Sequence, residues 1–520
     1  MKNLGIIIKV VAFLFVCSIC LGAVDDLLRL EPDMEPNLTM KEFYDTDKDS
    51  VQMIVLGSSH TSMGFSPMEC YKQTGITSFN LSTAKQPIEV SYFLLNEAVK
   101  RQTPEVVIYE ISSLLYTQGE VKAERYRSIL DSMPLSLNKI WMADSYSRHK
   151  DNFELFSIGE ALSPIYYYHE RWKEVNEEDF HYLASAGTHL KGQVIRTYIK
   201  EIDFDLEEYD KKLEKRVEKD SSKQPTISEN NLNYFLKIKK VCDDNNIKLV
   251  LTNTPTDRWN SAKNKLICDL ADEYNLDFVN MSLDDGLVID YSTDMADGNH
   301  VNASGAVKTT NYLTDFIVEK YGIKSKGKHN QFEESIKYYD KYYNNILAYQ
   351  METDFDKYLT VLNGGKENLT IFICGKGEMT AGLNDNDKKQ LKDLGCNALF
   401  EETDFSKSYI AVIDGGEMVF EKTGDSTISK KYKLNENSTA SLSSNGDLEA
   451  PKASILVDNK QFAINGSGMN VVVYDKESRC VIDSVSFNTH YSQRKWWRNT
   501  DKALEKYMFK SYKIWAEENI

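Results

Sequence analysis

Cysteine is scarce: the chain of 520 residues carries 8. That density excludes a disulfide-built scaffold. No Cys-x-x-Cys pair outside the N-terminal apolar run offers a zinc site. Basic residues are short as well, with 62 Lys and Arg against 79 Asp and Glu, a formal net charge of −17. A chain this acidic, whose basic residues do not segregate, is a poor nucleic-acid binder. Beyond the N-terminus there is no long hydrophobic run, which excludes a polytopic membrane protein. There is no internal repeat, no P-loop and no His-x-x-x-His, so no nucleotide, metal or other cofactor is expected. What is present is an ordinary globular balance, 41% hydrophobic and 27% charged. It is spread over a chain longer than one core usually serves.

The N-terminus sets the compartment. Gly5 to Val24 is apolar apart from Lys9 and Ser18, and Asp25-Asp26 follow. This reads as a single membrane anchor or a cleaved signal peptide. The cleavage signal is weak, because Leu21 stands at the −3 position for a cut after Ala23. With Lys9 snorkelling, the run just spans a bilayer. Positive residues lead and acids follow, so both readings place the body outside the cytoplasm.

Strand-like runs alternate with helical ones from about 50 to 322. The strands are Val51–Leu56, Ser78–Ser82, Val106–Ile111, Lys248–Asn253 and Asp277–Asn280. The helices lie near 90–100, 230–245, 262–274 and 304–321. Such alternation implies an α/β fold with a mainly parallel sheet flanked by helices. Its helical insertion covers about 115–225, including a charge run from Glu201 to Lys219. Residues 25–49 read as a Pro- and acid-rich stalk. Residues 323–358 read as a helical linker containing Tyr338, Tyr339, Tyr342 and Tyr343. From 359 to 490 short strands and turns dominate, a second and β-rich domain. Residues 491–520 read as a C-terminal helix.

In a parallel α/β sheet, ligands sit at the carboxyl ends of the strands. Gly57-Ser58-Ser59-His60 follows the first strand. A late loop reads Asp294-Met-Ala-Asp297-Gly-Asn-His300. A hydroxyl nucleophile needs a base, and the base needs a carboxylate to fix its tautomer. Asp-x-x-His on one tight turn supplies both. Ser59, His300 and Asp297 are therefore the candidate catalytic residues, with His60 as a rival base.

These motifs together resemble the SGNH/GDSL hydrolase superfamily over about residues 50–322. Within it they are similar to the membrane-anchored DltD-like branch and to the O-acyltransferases of polysaccharide acylation. The resemblance implies Ser59 as nucleophile, His300 as base and Asp297 as its partner. It implies an oxyanion hole from the N–H of Ser59 and one from the Asn80-Leu-Ser82-Thr83 block, Ser82 standing where Gly is usual. Asn253 is the nearest candidate for the oxyanion-side Asn, because the family's Gly-x-Asn-Asp block is absent. Gly-Ser-Ser also replaces Gly-Asp-Ser, which points to the transferase-like branch. That branch implies a membrane-bound O-acyltransferase partner and a cell-surface polysaccharide substrate.

Phe462-Ala-Ile-Asn465-Gly-Ser-Gly468-Met-Asn470-Val-Val-Val-Tyr474 is similar to the interleukin-like EMT inducer (ILEI) domain. This implies a compact β-rich fold with a glycan-binding or purely structural role. The expected activity is an extracytoplasmic serine acyltransferase or esterase. The alternatives are a polysaccharide O-deacetylase and a non-catalytic glycan-binding protein on the same fold.

Overall fold

The computed structural model describes residues 2–28, 35–116, 123–147, 158–175, 189–203, 205–219, 224–283, 286–400, 407–446, 451–499 and 502–519. Part of the expected stalk (29–34) and parts of the expected insertion (117–122, 148–157, 176–188, 204 and 220–223) lie outside them. The chain divides into two compact units, Met1–Ile336 and Lys337–Ile520.

The first unit is built on five parallel strands: β1 (Met53–Leu56), β2 (Ser78–Asn80), β3 (Val106–Glu110), β4 (Lys248–Asn253) and β5 (Asp277–Asn280). Their order is β2-β1-β3-β4-β5. β1 to β4 are almost wholly buried. This is why β1, β3 and β4 read as runs rich in Val, Ile and Leu rather than as alternating ones. Met53, Val55, Val106, Ile108 and Val250 pack with Leu313 and Ile317 of the Ala303–Tyr321 helix. The chain leaves β1 towards β2 and leaves β3 towards β4, on opposite sides. The sheet order therefore switches between β1 and β3, opening a crevice at their carboxyl ends.

Two connecting segments differ from their sequence reading. Residues 35–45 are not stalk but a helix, Glu35–Asp45. Met40 and Phe43 are buried, and the Phe43 ring packs edge-on to Phe79 at 5.2 Å. Glu42 pairs with Lys191 at 3.2 Å, both side chains buried. The Pro- and acid-rich composition hides this short apolar face. The start of the expected linker is likewise docked. Ile323 joins the core, and Lys324 O accepts a 2.8 Å hydrogen bond from Gln52 Nε2. The aromatic helix is present as Asn330–Asn345, and the division between the units falls within it.

The second unit is an antiparallel β-rich region. Its strands are β6 (Leu369–Lys376), β7 (Ser408–Asp414), β8 (Glu417–Gly424), β9 (Ile428–Lys433), β10 (Thr439–Asn445), β11 (Lys452–Val457), β12 (Lys460–Gln461), β13 (Gly468–Asp475), β14 (Cys480–Phe487) and β15 (Trp496–Arg498). They form a six-stranded sheet, β15-β14-β13-β6-β7-β8, and a four-stranded one, β12-β11-β10-β9. β10 and β11 alternate buried and half-exposed residues, as one-sided strands do. The Phe355–Gly365 helix covers β14, with Phe355 and Tyr358 against Phe487 at 4.9 and 5.2 Å. The expected C-terminal helix runs Lys502–Asn519, but Trp496–Arg498 is an edge strand instead. Arg498 Nε lies 3.0 Å from the buried Asp483 carboxylate, which holds that strand in place. Cys374, Cys396 and Cys480 are buried free thiols.

At the N-terminus, Lys2–Leu28 is one helix, and Ile6–Asp25 within it is long and apolar enough to cross a membrane. None of that stretch is buried.

Ile108 lies in the middle of the central strand with no exposed surface. Ile108→Ala is expected to lower unfolding free energy by about 2–5 kcal/mol, through lost burial plus a cavity. The shift in urea midpoint measures it.

Candidate functional site

The site begins where β1 ends. Ser58 is the N-cap of a short helix, Ser59–Gly64, its hydroxyl facing His60 N at 3.4 Å. Ser59 is thus the first helical residue, and its N–H is one of the donors a helix start leaves unsatisfied. Gly57 is required by a close approach: a Cβ there would stand 2.7 Å from Glu110 Cβ.

Glu110, at the end of β3, is the residue that sequence reasoning missed. It is fully buried. Ser58 Oγ donates to its Oε2 at 2.9 Å, and Ser112 donates to its Oε1 through both N–H (2.9 Å) and Oγ. Burial pushes the carboxyl above its ordinary range, although these hydrogen bonds pull it back. The signal was present: an acid closes an otherwise apolar strand, Val-Val-Ile-Tyr-Glu110, and a buried acid must find donors.

The structure brings the three expected residues together. Ser59 Oγ is 2.8 Å from His300 Nε2, and His300 Nδ1 is 3.0 Å from both Asp297 oxygens. An ionised Asp297 only accepts, so Nδ1 carries the proton and Nε2 is left to accept the Ser59 O–H. Burial alone would raise the Asp297 carboxyl. Hydrogen bonds from the His300 ring and from the Asn299 and His300 N–H groups outweigh this and hold it low. The turn is braced from outside. Gly298 O accepts from Asp257 N at 2.8 Å. Asn302 caps the Ala303–Tyr321 helix through its Oδ1 while its Nδ2 reaches Thr293 O at 2.7 Å.

The expected oxyanion partners are arranged differently. The Ser82 N–H is already engaged by Asn80 Oδ1 at 3.1 Å, and its hydroxyl accepts from Thr61 Oγ1 at 2.9 Å. Asn253 donates from Nδ2 to Ser282 Oγ at 2.9 Å. Neither hydrogen-bonds to Ser59 or His300. Asn80 instead supports the Ser59–Gly64 helix, donating to the Thr61 and Phe65 carbonyls at 2.8 and 3.1 Å. Of the expected donors, the Ser59 N–H stands at the start of its helix.

His60 packs beside His300, ring centroids 5.1 Å apart. Burial, with the neighbouring His300 adding to it, lowers its pKa to about 3. It is neutral at ordinary pH, and its Nδ1 is buried without a hydrogen-bond partner. It makes no contact with Ser59 Oγ of the kind a base would need.

A polar cleft of about 450 Å³ adjoins the Asp297 turn, lined by Asp203, Tyr209, Lys212, Arg216, Asp257 and Arg258 among others. One wall is the Leu206–Lys219 helix, tied down by Ser261 N donating to Asp210 at 3.0 Å. Asp257 links the cleft to the turn through its N–H on Gly298. Among the described residues no group of three or more His, Cys, Asp or Glu is placed to hold a metal ion.

No known protein family matches this chain, and no curated protein does. Among solved structures, a Bacteroides fragilis protein provisionally described as an acylhydrolase shares 11% identity. That alignment has a TM-score of 0.25 and covers 53% of this chain and 89% of the other.

Glu110→Gln turns an amide NH2 towards donors that need an acceptor. It is expected to lower stability by about 1–3 kcal/mol in urea unfolding. For His60, the folded ring takes a proton only near pH 3, the unfolded one near 6.5. Between those values the unfolded chain binds more protons, so stability falls as pH drops across that window. His60→Gln is expected to lose less stability than wild type from pH 6.5 towards 3, read from denaturation midpoints at each pH.

Proposed function

We propose that the protein is a serine acyltransferase or esterase working through an acyl-serine on Ser59, outside the cytoplasm, on a cell-surface polysaccharide. The observation that carries this reading is the hydrogen-bonded chain Ser59–His300–Asp297 at the β1/β3 crevice. Ser59 Oγ attacks the ester carbonyl while its proton passes to His300 Nε2. Asp297 steadies the resulting imidazolium through the Nδ1 hydrogen bond. The Ser59 N–H, at its helix start, would donate to the negative charge that develops on the carbonyl oxygen. His300 then returns the proton to the departing alcohol, leaving the acyl-serine. In the second half, His300 takes a proton from the incoming hydroxyl. A sugar hydroxyl gives transfer, and water gives hydrolysis.

The finer parts of the proposal rest on different supports. The polysaccharide is supported by the SGNH-like motifs and by a charged, polar cleft beside the Asp297 turn, which suits a hydroxyl-rich acceptor. The extracytoplasmic setting is supported by the apolar Ile6–Asp25 helix, with Lys2 before it and acids at its far end, Asp25 and Asp26. A membrane-bound O-acyltransferase as acyl supplier, and glycan binding by the β-rich unit, belong to the same proposal.

The test uses the detergent-solubilised full chain and p-nitrophenyl acetate. Intact mass is expected to rise by one acetyl group in wild type and not in Ser59→Ala. His300→Ala is expected to slow p-nitrophenol release by about 10³-fold or more. Transfer to added oligosaccharides separates a transferase from a deacetylase. No adduct and no turnover would overturn the proposal in favour of a glycan-binding protein.

A further inference from the structure

Three large aromatic side chains are exposed on one short segment of the first unit: Tyr166 (64%), Tyr167 (44%) and Trp172 (66%). The segment comprises the turn of helix Pro164–Tyr168 and the 3-10 turn His169–Lys173. Tyr168 between them is buried, its hydroxyl donating to Asp131 at 2.8 Å, so the segment is anchored from beneath. Two hydrogen bonds fasten it to the end of the apolar N-terminal helix. Ile165 N donates to Asp25 Oδ1, and Arg171 donates to Leu27 O, both at 2.9 Å.

These bonds fix a depth. The apolar stretch Ile6–Asp25 has 20 residues, and at about 1.5 Å per residue it matches a hydrocarbon layer of roughly 30 Å. Asp25 then stands at the boundary between hydrocarbon and headgroups. A segment bonded to Asp25 and Leu27 stands at the same level. Tyr and Trp favour that level, where a ring can sit in the apolar edge while its polar atom stays wet. Lys173, exposed beside Trp172, is suited to a headgroup phosphate.

We propose that Tyr166, Tyr167 and Trp172 form a second membrane contact, lying in the lipid interface around the exit of the N-terminal span. The occupant of this face is the bilayer surface, not another protein. The inference rests on the reading of Ile6–Asp25 as a span.

The test reconstitutes the full chain in phosphatidylcholine–phosphatidylglycerol vesicles whose acyl chains are brominated close to the headgroup. Bromine quenches tryptophan within contact range. Wild-type emission is expected to be quenched, and Trp172→Phe, a change at an exposed site, is expected to lose most of that quenching. Alkaline carbonate extraction of the same vesicles reports on the span separately. Retention in the pellet with undiminished quenching in Trp172→Phe would overturn the interfacial contact alone. Release into the supernatant would overturn the span and the contact with it. Retention with no quenching in wild type would mean that another surface covers these rings, which also overturns the proposal.

Discussion

A carboxylate removed from water has to be hydrogen-bonded, or its burial costs several kcal/mol. Glu110 is in that position at the carboxyl end of the central strand. Its requirement is met by Ser58 on one side and Ser112 on the other. The two strand ends that flank the crevice are thereby tied to one acid, and the rest of the site follows from this tie. With Ser58 held, the next residue must open the short helix, which puts Ser59 at a helix start facing His300. Asn80 then holds that helix from the neighbouring strand through two of its carbonyls. Gly192 completes the clamp. A side chain there would collide with the Asn80 carbonyl, and its positive φ of 89° suits glycine.

The parallel sheet was legible because three of its strands, β1, β3 and β4, are apolar runs bounded by turn residues. Each of the five read to within about two residues of its observed ends. Ser59, Asp297 and His300 were legible for a different reason. The first follows a strand, and the other two share one short turn, so sequence distance constrains their geometry. What sequence could not give was the choice among competing hydrogen bonds. Asn80 takes the Ser82 N–H two residues away, and Ser282, far along the chain, takes Asn253. The first is a local side-chain-to-backbone bond and the second is set by tertiary placement. Composition also misled: Pro and acids around residues 31–50 outweighed the apolar pair Met40 and Phe43. In the second unit, β8 and β9 carry Glu and Lys on their outward faces, which conceals them among turns.

The two histidines beside Ser59 show how environment rather than residue type assigns roles. Both rings lie at the same crevice. His300 has a carboxylate partner on its far nitrogen and a hydroxyl on its near one. His60 has burial and a cationic neighbourhood that includes Arg258 and Lys263, both opposing a positive charge on its ring. The histidine next to Ser59 in sequence is thus the one held neutral, and the one hydrogen-bonded to Ser59 Oγ comes from 241 residues away.

The docking of helix Glu35–Asp45 bears on how far the protein can reach. A disordered stalk would let the body sweep a volume set by its tether, its working radius growing with the square root of tether length. Here the buried Glu42–Lys191 pair and the hydrogen bonds that Asp25 and Leu27 accept fasten the N-terminal helices to the body itself. With Ile6–Asp25 spanning a membrane, as proposed, the crevice would be carried at one height above it rather than swung through a range. For the polymer substrate proposed above, encounter would then depend on the polymer's own segmental motion past that height, and successive reaction points along it would record that motion.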